Sequence, residues 1–482
     1  MQITPFIYQS LWFLLMPFIQ LYLMIRIRQQ KEDKSRIQER FGRGYKSARP
    51  NGKLIWLHSV SLGESNAAIN LITSLSEIRP DWHFLATTNT ITAANHIEKN
   101  CASMPVTHVY QPLDHPFWVS RFLHYWHPDG AIFLESDFWF NLITLSKKSQ
   151  IPVIFASSQI SQTAKNRWTK NPSLAKKIFS SPSLILSIDS QQEEGFKKLM
   201  GLASNDHAPN KSPNNSPDNY SDNYSDNSPG NSLGNSLGNS LGNSLGNSPD
   251  NYPGNSHQDN QIFITLGSLK NRISENVINT DYENKLMEHA STFKRKIILA
   301  ASTHEQEEEL IAHSLKGLLD PVKHLLIFAP RHMHRTSEIL NQLGWMPCRS
   351  KDELPEPALP YFMSDSLGEM TSLYNVSDVV ICGGSFYNAG GHNPIEPALA
   401  GKPIICGESI FKNKADFIQL IEAGMIYQVR TPDMMRQVLA ELLHLNSSQK
   451  DCVIKGQKIA QETCMRPLKA AHYIISTIEQ SS

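Results

Sequence analysis

An apolar run opens the chain. From Phe6 to Ile25 it reads FIYQSLWFLLMPFIQLYLMI without a charge, then turns basic at Arg26, Arg28, Lys31, Lys34 and Arg36. Such a length matches the hydrocarbon core of a bilayer, and basic flanks stay on the cytoplasmic side. No basic residues precede the run and no small-residue cleavage site follows it, which argues against a cleaved signal peptide. Gln9, Ser10, Pro17 and Gln20 interrupt it. Three readings therefore stand: a spanning helix, a helix lying in the membrane interface, and the buried helix of a soluble protein. Both membrane readings put the residues after 30 in the cytoplasm.

Beyond the run, short apolar stretches alternate with helical patterns. KLIWLHSV, WHFLATT, HVYQPL, GAIFLE, IPVIFA and LILSI come first. Later come QIFITL, KIILAAS, HLLIFAP, a short run at Met346–Cys348, YFMSDS, DVVICGG, KPIICG and MIYQV. Strand-then-helix repetition predicts parallel sheets with helices on both faces, here as two Rossmann-like blocks. Between them, Ala203 to Asn260 is Asn, Ser, Pro, Gly and Asp, with tandem Asn-Ser-Leu-Gly units from Asn231 to Gly246. That composition buries too little apolar area to offset ordering entropy, so the segment reads as a disordered surface insert. The expected division is an anchor over 1–28, an N-terminal Rossmann-like domain over 29–202, the insert over 203–260, and a C-terminal Rossmann-like domain with terminal helices over 261–482.

A chain of 482 residues is long enough for two such cores. Lysine plus arginine and aspartate plus glutamate balance at 45 each, so no basic field points to nucleic acid. The six cysteines show no short paired spacing, which fits reduced thiols in a cytoplasmic protein.

Ligands in this architecture sit beyond the C-terminal ends of the strands. DVVICGG ends in Gly383 and Gly384, followed by Ser385, a second glycine pair ending at Gly391, His392, and a helix start with Asn393 as N-cap and Pro394 at N1. Backbone N–H groups and a helix N-terminus suit a nucleotide phosphate. Glu396 either serves that ligand or closes a capping box with Asn393. In HSVSLGES a helix is expected after Gly63, leaving Glu64 where the helix dipole keeps a carboxylate ionised. It is either a general base or an ordinary first-turn acid. Glu135 and Asp137 follow GAIFL, suited to a metal, to acid–base work, or to a plain surface loop. Lys270 follows FITLG, where an ammonium meets developing negative charge or is simply solvated. Arg331 follows HLLIFAP and suits a phosphate, whereas His332 and His334 lack the partners of a zinc site. Gly368 and Glu369 open a further helix, with Ser366 at its N-cap.

Taken in order, HSVSLGE, ESDFWFNL, TLGSLK, AASTHEQEEE, APRH, SLGEM and GGHNPIEP resemble the bacterial Kdo (3-deoxy-D-manno-oct-2-ulosonic acid) transferases. The resemblance implies a GT-B fold, two Rossmann-like domains facing a cleft behind an N-terminal membrane anchor. It implies inverting transfer of Kdo from CMP-Kdo to a lipid A precursor at the cytoplasmic face of the inner membrane. Glu64 matches the family's proton acceptor; Glu135 and Lys270 match positions that stabilise the transition state. Pro330, Arg331, Leu367, Gly368, Glu369, Asn393, Pro394, Ile395 and Glu396 match its CMP contacts. Ser59, Ser61, Gly63, Gly383, Gly384, Ser385, Gly391 and His392 support them, and no metal or cofactor beyond the donor is implied. The N-terminal domain departs from the pattern at Gln159 (usually arginine), Ile91 (proline), Leu113 (tyrosine) and Phe140 (proline). Two alternatives remain, a GT-B transferase using another nucleotide sugar on a membrane lipid and a degenerate membrane-tethered binding protein.

Overall fold

The computed structural model describes residues 3–202, 261–273 and 279–481; the low-complexity insert lies outside them. The first sheet contains β1 (Leu54–His58), β2 (His83–Thr88), β3 (Val106–Tyr110), β4 (Gly130–Leu134), β5 (Val153–Ser158), β6 (Leu184–Ser187) and β7 (Ile262–Thr265). Its strand order is β3-β2-β1-β4-β5-β6-β7, parallel throughout. The second contains β8 (Lys296–Thr303), β9 (His324–Pro330), β10 (Tyr361–Met363), β11 (Val379–Cys382), β12 (Ile404–Cys406) and β13 (Ile426–Gln428), ordered β10-β9-β8-β11-β12-β13 and again parallel. Two doubly wound parallel sheets of this kind are the GT-B architecture.

Both faces of each sheet are covered by helices, which is why the strands read as unbroken apolar runs rather than alternating ones. In β1, Leu54 and Trp56 enter one core with Phe122 and Phe133, while Ile55 and Leu57 enter another with Leu71 and Ile474. All are buried, and each side chain of this size contributes about 1.5–3 kcal/mol by leaving water.

The expected domain boundary at 261 is corrected by the pairing. β7 hydrogen-bonds β6 in register from Leu184↔Ile262 to Ser187↔Thr265, so it closes the first sheet. The C-terminal helix Arg466–Gln480 also returns to the first domain, burying Ala470, Ala471, Ile474 and Ile478 beside Leu71 and Leu75. Met346–Cys348 makes no strand. Cys348 forms one isolated bridge with Met363, its N–H goes to Glu353 Oε2 (2.6 Å), and Pro347 has no N–H to give. At the N-terminus, Thr4 caps α1 (Pro5–Arg28), a helix long and apolar enough to cross a membrane.

Candidate active site

In each sheet the strand order reverses once, between β1 and β4 and between β8 and β11. Crevices form at such reversals, beyond the C-terminal ends of the strands. Glu64 follows β1 and Glu135 follows β4; His304 follows β8 and the glycine turn follows β11.

Helix α2 (Leu62–Ile78) begins at Leu62, before Gly63 rather than after it, with Ser61 as N-cap. Glu64 bends back to accept the N–H groups of Val60 (2.6 Å) and Ser61 (3.3 Å), both on Oε2. The capping role and the candidate catalytic role therefore coexist on different oxygens. Burial lifts the Glu64 carboxyl above the usual glutamate range; the Val60 N–H opposes this, and the charges of Glu135 and Asp137 push it further up. Desolvation thus outweighs the hydrogen bond at the helix start in setting the direction of the shift. Ser59 is buried, and at Gly63 an added Cβ would meet nothing nearer than Ser61 Oγ at 4.0 Å, so the fold itself leaves space there.

Glu135 takes a left-handed conformation, φ +57°, as β4 ends. A non-glycine residue held there stores strain of about 1–3 kcal/mol. The turn aims the buried carboxylate at Lys270 Nζ, 2.8 Å from Oε1, while Gln159 Nε2 donates to Oε2 (3.2 Å). Gln159 is one of the departures noted above, so this end of Glu135 meets a neutral amide. Asp137 serves a different network. Trp56 Nε1 donates to Thr87 Oγ1 (2.8 Å), leaving that hydroxyl to donate to His58 Nδ1 (2.8 Å) and His58 Nε2–H to donate to Asp137 Oδ2 (2.6 Å). Trp139 Nε1 adds a second bond to the same oxygen (2.6 Å). The two carboxylates of ESD therefore do not act as one ligand pair.

Lys270 is positioned from both sides of the cleft. Asn70, on α2, donates through Nδ2 to the carbonyls of Leu269 (3.0 Å) and Lys270 (2.8 Å). Asn271 accepts from Asn393 Nδ2 at 2.9 Å, joining the Lys270 loop to the turn after β11. Neither Asn70 nor Asn271 carried a sequence signal, since an amide inside a helix or loop has no periodicity to mark it.

The second half is a basic pocket. Gly383 cannot carry a side chain, because a Cβ would lie 2.5 Å from Ser302 O; Gly384 is left-handed at φ +68°. Glu307 holds this turn, accepting the N–H groups of His304 (2.9 Å), Gly384 (2.7 Å) and Phe386 (3.0 Å). Ser385 is structural: its hydroxyl donates to Cys382 O (2.5 Å) and accepts Gly407 N–H (2.8 Å). Gly391 N–H donates to Gly384 O (2.7 Å). His304 and His392 stack with 5.0 Å between ring centres and share an Nε2···Nε2 bond of 2.8 Å. Burial, then the charges of His304, Arg331 and Lys412, press His392 down to about 4; burial and neighbouring cations lower His304 as well. Arg331 follows Pro330 at the end of β9, exposed, and its guanidinium makes no ion pair among the described residues. The position of His304 just past β8 is the signal that would have found it.

The short helix begins at Ile395 with Pro394 at its cap, one residue later than expected. Asn393 Oδ1 accepts Ile395 N–H (3.1 Å), and its Nδ2 donates to Glu396 Oε1 (3.2 Å), so Glu396 forms no capping box with backbone. Surrounding protein raises the Glu396 carboxyl even though solvent reaches it. Leu367 is exposed and Gly368 is left-handed at φ +86°. The following helix starts only at Met370, with Glu369 and not Ser366 at its cap. Glu369 is buried and accepts from Arg349 Nη2 (3.0 Å), Asn279 Nδ2 (2.9 Å) and Ser366 Oγ.

Residues 35–208 match the family described as 3-deoxy-D-manno-octulosonic-acid transferase (kdotransferase). Along nearly the whole chain, the 3-deoxy-D-manno-octulosonic acid transferase of Rickettsia bellii is 27% identical, over 92% of each protein. Over most of its length the chain is therefore similar to Kdo transferases, with that family's own domain matched at residues 35–208. The probable mitochondrial Kdo transferase of Arabidopsis thaliana is 29% identical over 91% of this chain and 87% of its own. A crystal structure of the C-terminal CMP-Kdo binding domain of WaaA from Acinetobacter baumannii is 23% identical, covering 38% of this chain and 100% of that one, with a TM-score of 0.35.

Proposed function

We propose that this chain moves Kdo from CMP-Kdo to a hydroxyl of a lipid A precursor, with its catalytic domains on the cytoplasmic face of the inner membrane. The observation that carries the reading is the joined cleft. Glu64, Glu135 and Lys270 gather at the strand ends of the first sheet, and Asn271–Asn393 ties them to the basic pocket of the second. In this reaction Glu64 accepts the proton of the acceptor hydroxyl as its oxygen bonds the anomeric carbon. The bond from that carbon to the phosphate oxygen breaks, and CMP leaves with the electron pair. Arg331 and the backbone N–H groups of the turn after β11 hold the phosphate; Lys270, oriented by Glu135, faces charge that develops as the bond breaks. A raised Glu64 matches a general base working near neutral pH better than an ordinary carboxylate would. Pro330, Leu367, Gly368 and the Asn393–Glu396 segment complete the nucleotide site, with Glu369, paired with Arg349, accepting from Ser366 across the Leu367–Gly368 turn.

The test is incubation of the purified chain with CMP-Kdo and lipid IVA, with products read by mass. Addition of Kdo residues is expected. No product, together with thermal protection by UDP and not by CMP, would move the protein to another nucleotide-sugar class.

A further inference from the structure

Around the turn after β11 stand two exposed cations that form no ion pair among the described residues. Arg331 is one. The other is Lys412, on the short turn Phe411–Asn413 that follows β12. The fold fixes the base of this lysine closely. Its N–H donates to Gly390 O (3.0 Å), and its side chain starts over Gly390, where an added Cβ would lie 2.7 Å from Lys412 Cγ. Asn413 Nδ2 donates to Gly391 O (3.3 Å), tying the Lys412 turn to the second glycine pair. The acidic residues that flank Lys412 in sequence are engaged elsewhere, Glu408 with Arg430 (2.9 Å) and Asp416 with Arg466 (3.5 Å). Glu307 spends its oxygens on backbone N–H groups. The histidine pair adds no charge of its own. Burial and the charges of Arg331 and Lys412 favour the neutral form of both His304 and His392, and the proton between their Nε2 atoms stays within the pair.

We propose that the donor pocket is built for two anions carried on one carbon, Lys412 taking the carboxylate of the donor sugar while Arg331 takes the phosphate. This rests on the CMP-Kdo reading above and adds to it the residue that recognises the sugar. In that donor the reacting carbon bears both a carboxylate and the phosphate oxygen, so two negative charges lie a few bonds apart. Held by one cation alone, they would keep their mutual repulsion. Position fits as well as charge. The helix Lys414–Glu422 begins just past Lys412, and its Asp416 accepts from Asn271 Nδ2 (3.4 Å) and feels the charge of Lys270. Lys412 thus adjoins the phosphate-holding turn on one side and the Lys270 loop on the other. The sugar has to occupy that interval for its anomeric carbon to reach from the nucleotide towards Glu64. An ammonium on a flexible stem suits a carboxylate that changes direction as its carbon reacts, whereas the planar guanidinium suits the phosphate. As the bond breaks, Lys412 keeps the fragment that is transferred and Arg331 the fragment that departs.

The test reads the two anions separately. The full chain is assayed for its KM towards CMP-Kdo and for inhibition by CMP, which has the phosphate and no carboxylate. Lys412→Met keeps the methylenes that pack on Gly390 and removes only the ammonium, so the fold is retained. It should raise KM for CMP-Kdo about tenfold, the lower end for a charge-assisted contact, and leave the inhibition constant of CMP unchanged. Lys412→Arg should recover most of the lost affinity, and Arg331→Ala should raise both constants. Loss of a distant positive charge would weaken both ligands alike, because the free phosphate of CMP gives it about the same charge as CMP-Kdo. Equal shifts in the two constants, or no shift in either, would therefore overturn the proposal. A wild-type chain that transfers no Kdo would remove the donor reading and this one with it. Transfer by the wild type with KM untouched in Lys412→Met would remove the carboxylate contact alone.

Discussion

Replacing Lys270 by Met keeps most of the side-chain length and removes the ammonium, leaving the buried Glu135 with Gln159 as its remaining side-chain partner. In the native pair Nζ stands 2.8 Å from Oε1, with the lysine side chain 40% exposed and the glutamate 7%. Exposed pairs contribute about 0–1 kcal/mol and breaking fully buried ones costs about 3–5 kcal/mol. With one partner in water, the loss in stability should be about 1–2 kcal/mol. Turnover should fall much further, since withdrawing one preorganised group from developing charge costs about 10²–10³ in kcat. Lys270→Met, Glu135→Gln and the double variant separate the two effects, by thermal denaturation and by Kdo transfer measured at saturating CMP-Kdo. The double variant leaves no unpaired buried charge, so it should regain stability while turnover stays at the level of the worse single variant. Recovery of turnover along with stability would refute a catalytic part for Lys270 and leave the pair as a structural clip.

Glu64→Gln keeps an oxygen to accept the Val60 N–H but removes the base, so kcat should fall about 10²-fold or more with CMP affinity unchanged. In the wild type, the raised Glu64 carboxyl means that turnover should begin to fall at a pH above the ordinary glutamate range, because the protonated form cannot accept the hydroxyl proton; that acid limb should vanish in Glu64→Gln. Arg331→Ala should weaken CMP binding about ten- to a hundredfold by calorimetry, the equivalent of about 1.5–3 kcal/mol for a charge-assisted contact; wild-type affinity would place the phosphate elsewhere. His392, held near 4 by burial and neighbouring cations, is neutral at pH 7 in the free protein. A phosphate beside it raises that value, so binding takes up a proton, and CMP affinity should rise as pH falls from about 7 towards 5. The rise should be measured relative to His392→Asn, which cancels the titration of CMP itself; equal slopes would separate the histidine from the phosphate.

Strands were legible because a parallel sheet covered on both faces demands unbroken apolar runs, and these runs differ visibly from the amphipathic helices between them. Which sheet a strand joins is a long-range matter. QIFITL looks the same whether it opens the second domain or closes the first, and its position after the insert favoured the wrong choice. The final helix was ambiguous in the same way, because Ala470, Ile474 and Ile478 form an apolar stripe that fits either domain. At the site, Glu135, Lys270 and Arg331 stood out by lying just past strand ends. Helix starts were less legible: Glu369, not Ser366, stands at the N-cap, and its carboxylate goes to Arg349 rather than to the helix's own N–H groups. Asn70 and Asn271 acquire their roles only when the two sheets are brought together.

The chain passes between the domains twice, after β7 and again at Met465–Arg466, and the two passages touch. A Cβ on Gly267 would come within 2.6 Å of Arg466 Nε, and Asp416 receives both Asn271 Nδ2 (3.4 Å) and Arg466 Nη1 (3.5 Å). Two passages far apart would clamp the halves rigidly; two at one point act as a door hinge, allowing rotation about a single axis. Under the proposed function, rotation about that point would open the cleft to the nucleotide sugar and release CMP. Arg466 sits at that point, so the C-terminal helix that covers the first domain's sheet also fixes where the two halves meet.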